Sequence, residues 1–226
     1  MSNTDSLEKL CRFLNSVRGT DKVFMFIQYS FKIITAFLLR KNPESSLATR
    51  LLNFSNPISD TRILLRYYGL IPLYQWIRYS EKFPAPTQKL QWIIRLENLV
   101  NVLYYPLEHL YWLGLHSVVP ISPQLRDKIG MWSCRFWASY VILYFYQLFE
   151  EYKMLQQKKL GKVSSQDLQV IKSEQKVLFL NTVVNSAYFP LTVHWSLENS
   201  SLSDLGVGVF GTVAAIGQII LAWKAS

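Results

Sequence analysis

The sequence predicts an all-α, membrane-associated helical bundle with N-terminal amphipathic helices and a C-terminal hydrophobic hairpin. Three observations carry this expectation. Half of the 226 residues are hydrophobic and only 17% are charged, against about 25% in ordinary soluble domains. Apolar residues recur with the helical period along the first half. Residues 205–223 carry no charge, and at about 1.5 Å per residue they reach about 28 Å, close to the hydrocarbon thickness of a bilayer. The mean hydropathy of +0.12 lies between the soluble and polytopic classes and suits a chain partly on and partly in a membrane.

Four segments follow from the pattern. Residues 1–82 read as basic amphipathic membrane-binding helices. Residues 83–149 read as aromatic-rich, membrane-embedded helices, 150–176 as a hydrophilic cytosolic loop, and 177–226 as a C-terminal membrane hairpin. The first 95 residues hold 14 of the 24 Lys and Arg but 6 of the 15 acids. This basic half attracts anionic partners. Its cations sit among long apolar faces, which favours acidic phospholipid over nucleic acid.

The first helix covers 6–18, with Leu7, Leu10, Cys11, Leu14 and Val17 on one period; Gly19 ends it and Thr20 caps the next. In the second, 20–40, Asp21, Gln28, Lys32 and Thr35 form a narrow polar stripe, with Met25 the one apolar residue among them. Phe24, Phe31 and other large apolar residues fill the rest of the circumference. A helix lying in the headgroup boundary and a core helix of a soluble bundle both fit this pattern. Asn56-Pro57 predicts the start of a third helix running to 80, kinked at Pro72 and anchored by Trp76, Arg78 and Tyr79. Residues 42–56 read as loop with a short helical piece.

Pro84 and Pro86 precede a fourth helix, 87–115, divided by Pro106. Ser122-Pro123 starts a fifth. Residues 150–176, with six lysines and four acids, mark the boundary between the halves. Within 205–223, Gly208, Gly211 and Ala215 offer small surfaces for close helix packing, and Trp223-Lys224 form an interfacial stop. The rival reading of this segment is a buried C-terminal helix. The connector 196–204 lacks Lys and Arg, so the positive-inside rule puts both termini in the cytosol.

No constellation points to catalysis, a cofactor or a metal. Cys11 and Cys134 are too far apart to imply a framework. His109 and His116 share a helix face without an acid or cysteine to complete a metal set. Glu97 and Glu108 are three turns apart, too far for a catalytic pair. Arg135, Glu97, Glu108, Asn181 and Asn185 would line the lumen if the chain formed a pore for small solutes; the alternative is that they satisfy one another between packed helices. The sequons at Asn53 and Asn199 are short patterns of high chance frequency.

The segment Gly19-Thr20-Asp21-Lys22-Val23, followed by Gln28-Tyr29, resembles the opening block of the peroxin-eleven family. The stretch from Ile58 to Leu70, with Arg62 and Arg66 a turn apart before Gly69, resembles its second block, in wording similar to the fungal C-type or gamma-like branch. An apolar segment near the C-terminus completes the order. The resemblance implies a peroxisomal membrane protein that elongates the organelle before fission and controls peroxisome number and size. It further implies homo-oligomers and cooperation with dynamin-type fission machinery. Lys22, Lys32, Arg40, Arg62 and Arg66 are then the expected headgroup contacts, with Phe24 and Phe31 inserted beside them. Met25 and Phe26 depart from the family by standing where many members carry basic residues, and Pro72 interrupts the helix after the second block.

Overall fold

The computed structural model describes residues 3–160, 164–199 and 202–225. Among these residues the chain is built of eight helices and no strand. They are α1 (Asn3–Asn15), α2 (Val17–Lys41), α3 (Ser46–Tyr67), α4 (Leu70–Lys82), α5 (Gln88–Leu115), α6 (Pro123–Leu160), α7 (Ser165–Ser196) and α8 (Asp204–Ala225). Two compact units result. One holds α1, α2, nearly all of α3, and α8; the other holds α4 to α7.

The boundaries follow local chemistry. Ser16, not Thr20, caps α2: its hydroxyl accepts from the Gly19 amide at 2.9 Å, which relieves one of the orphan donors of the first turn. Gly19 therefore lies inside α2, where a side chain would collide with the Phe13 carbonyl. Residues 46–56, expected mostly as loop, are helical, and Pro57 sits inside α3. The break falls instead at Tyr68-Gly69, which leaves Pro72 in the first turn of α4, where a missing amide costs little. Thr87 caps α5 by accepting from Leu90. Pro106 is absorbed within α5.

The stretch 150–176 departs most from expectation. α6 continues to Leu160 and α7 starts at Ser165 with a Ser164–Asp167 capping box; residues 161–163 lie outside the described residues. Leu155 and Ile171 are buried, and Lys158 pairs with Glu174 at 3.0 Å. The stretch expected as a loop with helical edges is thus helical over most of its described length.

In the second unit α6 packs on α5 and on α7. Asn185 of α7 donates to the Val141 carbonyl at 2.9 Å. α4 is tied to α5 by Gln91, which donates to the Ser80 carbonyl, and by Arg95 on Glu81 at 2.6 Å. The Arg95 hydrogen bond holds the Glu81 carboxyl below its ordinary range.

In the first unit the extensive contact of α8 is with α2, whereas α7 packs on α6. The C-terminal apolar segment is therefore one helix of an α2–α8 pair.

Candidate membrane interface

α2 and α8 run antiparallel. Gly208 lies against Ile33, Gly211 against Tyr29, Lys32 pairs with Asp204 at 2.9 Å, and the Phe13 ring meets Trp223 at 5.6 Å. The inner face of α8 is small: Val207, Gly208, Gly211, Ala214, Ala215 and Ala222 are all buried. Small residues let two helix backbones approach closely, the packing mode that remains available when lipid removes the hydrophobic drive between helices.

The polar stripe of α2 faces inward. Asp21, Met25, Tyr29 and Thr35 are buried. Asp21 accepts from Lys22 at 2.6 Å and from the Arg62 Nε–H at 2.9 Å. Arg62 also donates to Gln28 at 2.7 Å and lies over the Tyr29 ring. One carboxylate thus gathers two cations in a site whose side chains are about one-tenth exposed (10% for Arg62 and 11% for Asp21). Withdrawn from water, such bonds are strong when complete and costly when broken.

The opposite face is apolar and uncovered. Phe26, Ile34 and Phe37 project from α2, with Phe37 56% exposed. Val209, Val213, Ile216 and Ile220 form a matching row on α8. Scattered exposed apolar residues are ordinary on any protein. A helix pair closed on small residues, with its charged groups gathered against α3 and large apolar residues outside, reverses the soluble pattern and suits a lipid surround. Both helices, Val17–Lys41 and Asp204–Lys224, are long and apolar enough to cross a membrane.

α1 adds Leu7, Leu10 and Leu14 as an exposed apolar row, and α3 adds Leu47, Phe54 and Leu64. In the second unit α4 carries a chain of exposed rings. Trp76 stacks on Tyr79 at 5.9 Å and Tyr79 meets Phe83 at 4.9 Å. Arg78 covers Tyr74 and Lys82 covers Phe83. Ile71 is 67% exposed beside them. Aromatic rings flanked by cations are the side chains that settle at the headgroup level.

The expected lipid contacts therefore divide. Lys22 and Arg62 are engaged with Asp21 inside the first unit. Lys32 is paired with Asp204. Phe31 leans on Phe54 at 5.7 Å, and Phe24 and Arg66 are half-buried, while Arg40 is exposed at the end of α2. Gly208, Gly211 and Ala215 lie on the inner face of α8.

Three of the residues weighed as pore lining, Arg135, Glu108 and Asn185, bond locally. Arg135 donates to the Ser196 carbonyl and covers Trp132. Glu108 accepts from Tyr104 at 2.7 Å. Asn185 is held by Val141, and Asn181 is half-buried on α7. Glu97 is buried with its Oε1 lacking a donor. His109 stacks on Tyr67 at 3.7 Å and His116 leans on Trp112. Among the described residues no three His, Cys, Asp or Glu form a metal-binding group.

Sequence comparisons agree in kind. The peroxisomal biogenesis factor 11 (PEX11) family profile matches residues 7–223. An uncharacterised protein of Schizosaccharomyces pombe is 29% identical over 213 residues, covering 94% of this chain and 92% of that protein. Peroxisomal membrane protein 11C of Homo sapiens is 28% identical over 145 residues, covering 61% of this chain and 57% of that protein. The Mus musculus protein of the same name is 23% identical over 228 residues, covering 93% and 91%. No solved structure matches the chain.

Proposed function

This chain belongs to the peroxisomal biogenesis factor 11 family, peroxisomal membrane proteins of peroxisome proliferation, and from that premise we propose that it elongates the organelle membrane before fission by shallow insertion of its helices. The observation that carries the reading is the α2–α8 pair, closed on small residues such as Gly208 and Gly211, with Asp21 and Gln28 turned to Arg62 of α3 and Phe26, Ile34 and Phe37 left outside.

The physical route is short. The α2–α8 pair holds each copy in the bilayer through apolar outer faces. The exposed rows of α1 and α3 in the first unit, and that of α4 in the second, each insert at a headgroup boundary and widen the leaflet they enter. Cations near an anionic surface contribute about 1 kcal/mol each. Many copies side by side, as a homo-oligomer, convert that widening into positive curvature. The resulting tubule is the substrate for dynamin-type fission machinery.

Phe13 and Trp223 meet at one end of the pair, which supports a topology with residues near both ends of the chain on one side of the membrane. Lys9, Arg12, Arg18 and Lys224 at that end favour the cytosol.

The test is reconstitution of the full-length protein into phosphatidylcholine vesicles with and without phosphatidylserine, viewed by electron cryomicroscopy. Tubules in the anionic vesicles are expected. A variant carrying Ile71→Ser, Tyr74→Ser and Trp76→Ser stays anchored by α2–α8 and leaves the vesicles round. Equal tubulation by this variant, or round vesicles with the native protein, sinks the reading.

A further inference from the structure

We propose that Arg62 is a releasable clasp holding α3 against α2, and that an anionic lipid headgroup opens it by taking the guanidinium from Asp21. The inference rests on the membrane-shaping reading and supplies its regulation.

α3 differs from the other long helices in how it is held. α2 packs on α8, and α6 on α5 and α7, along extended backbone contacts. Among the described residues α3 has no such extensive contact with any helix. It reaches α2 through long side chains: Arg62 to Asp21 and Gln28, and Phe54 to Phe31. Pro57 removes one backbone bond within it and leaves a natural joint. The helix therefore buries a face, Ala48, Ser55, Ile58 and Arg62, without the close backbone approach of the other pairs, and Arg62 is the charged member of that face.

The clasp is open to competition on charge grounds. Lys22 and Arg62 share the single carboxylate of Asp21, and Gln28 offers Arg62 only a neutral oxygen. A phosphate presents two or more charged acceptors in the geometry that a planar guanidinium matches. The clasp sits on the N-terminal side of Tyr29, towards the Trp223-Lys224 end of α8 that registers with Phe13. A headgroup at that interface is within reach of a long arginine side chain. Once released, α3 adds its buried face, Ala48, Ile58 and Arg62, to the apolar row of Leu47, Leu52, Phe54 and Leu64 that is already exposed.

The experiment places spin labels at Ile34→Cys and Asn53→Cys, both exposed and outside the clasp, in the full chain with Cys11→Ser and Cys134→Ser. Electron–electron distances are read in phosphatidylcholine vesicles, in equal parts phosphatidylcholine and phosphatidylserine, and in phosphatidylcholine vesicles with inorganic phosphate. A single short distance is expected in neutral lipid and an added long population in anionic lipid. Gln28→Ala, which removes one arm without changing charge, increases the long population in anionic lipid severalfold, and Asp21→Asn produces it in neutral lipid. One short distance under all conditions overturns the clasp. An equal long population with inorganic phosphate overturns the headgroup as its trigger. Tubulation with an unchanged short distance defeats the clasp alone, and opening without tubulation defeats the shaping reading alone.

Discussion

The ring of Tyr29 fills the volume that a side chain at Gly211 would need. One turn away, a Cβ at Gly208 would lie 2.8 Å from Ile33 Cγ1 and 3.0 Å from the Ile33 backbone nitrogen, and a backbone atom cannot swing aside. Gly211→Leu is expected to separate α2 from α8 and to lower stability by about 1–3 kcal/mol, the usual cost of overpacking. Thermal unfolding in detergent checks this, with Val213→Leu on the outer face as the neutral comparison.

Asp21 and Arg62 form a pair whose members protect each other. Asp21→Leu strands two cations, Lys22 and Arg62, and is expected to cost about 3–5 kcal/mol, whereas Arg62→Leu leaves Asp21 paired with Lys22 and is expected to cost less. The double substitution costs less than the sum, because Arg62 is no longer there to be stranded and only Lys22 has lost its partner. A double-mutant cycle in unfolding free energy measures the coupling. Additive losses would mean that the pair contributes nothing.

Glu97 is buried, and its Oε1 has no donor. An unsatisfied buried polar atom costs about 1–3 kcal/mol. Glu97→Leu is therefore expected to raise the melting temperature of the α5–α6 packing. A lower melting temperature would show that the carboxyl has a role in holding the helices together.

Glu81 and Arg95 link α4 to α5. The folded carboxyl titrates below its ordinary value because Arg95 donates to it. A depressed acid contributes stability above its unfolded value, and that contribution disappears as pH falls through the folded one. Protease resistance at residues 83–87 is expected to persist through the usual glutamate range and to fail in stronger acid. Glu81→Gln removes that acid-dependent step.

Much of the helix order is legible in the sequence, because caps and prolines are local. Thr87 and Ser122-Pro123 mark true starts. Residues 150–176 mislead because a polar two-helix hairpin needs only sparse apolar contacts, such as Leu155 and Ile171, and its lysines read as loop. The glycines of α8 announce close packing but not the partner, since nothing local connects Gly211 to Tyr29. The polar stripe of α2 was visible too. Its direction was not, because periodicity identifies a face without saying what surrounds it. Arg62 follows the same logic: two basic residues a turn apart suggest a headgroup contact, and only the fold brings Asp21 and Gln28 to one of them.

The reversed α2–α8 pair inverts the usual map of mutational tolerance. Outward positions such as Phe26, Phe37, Val213 and Ile220 ask only for greasiness, so Leu, Ile, Val, Met and Phe are interchangeable there. Inward positions such as Asp21, Gln28 and Gly211 demand one shape and one chemistry. Orthologues should therefore drift fastest on the surface of this element that is richest in hydrocarbon and hold still where it is most polar.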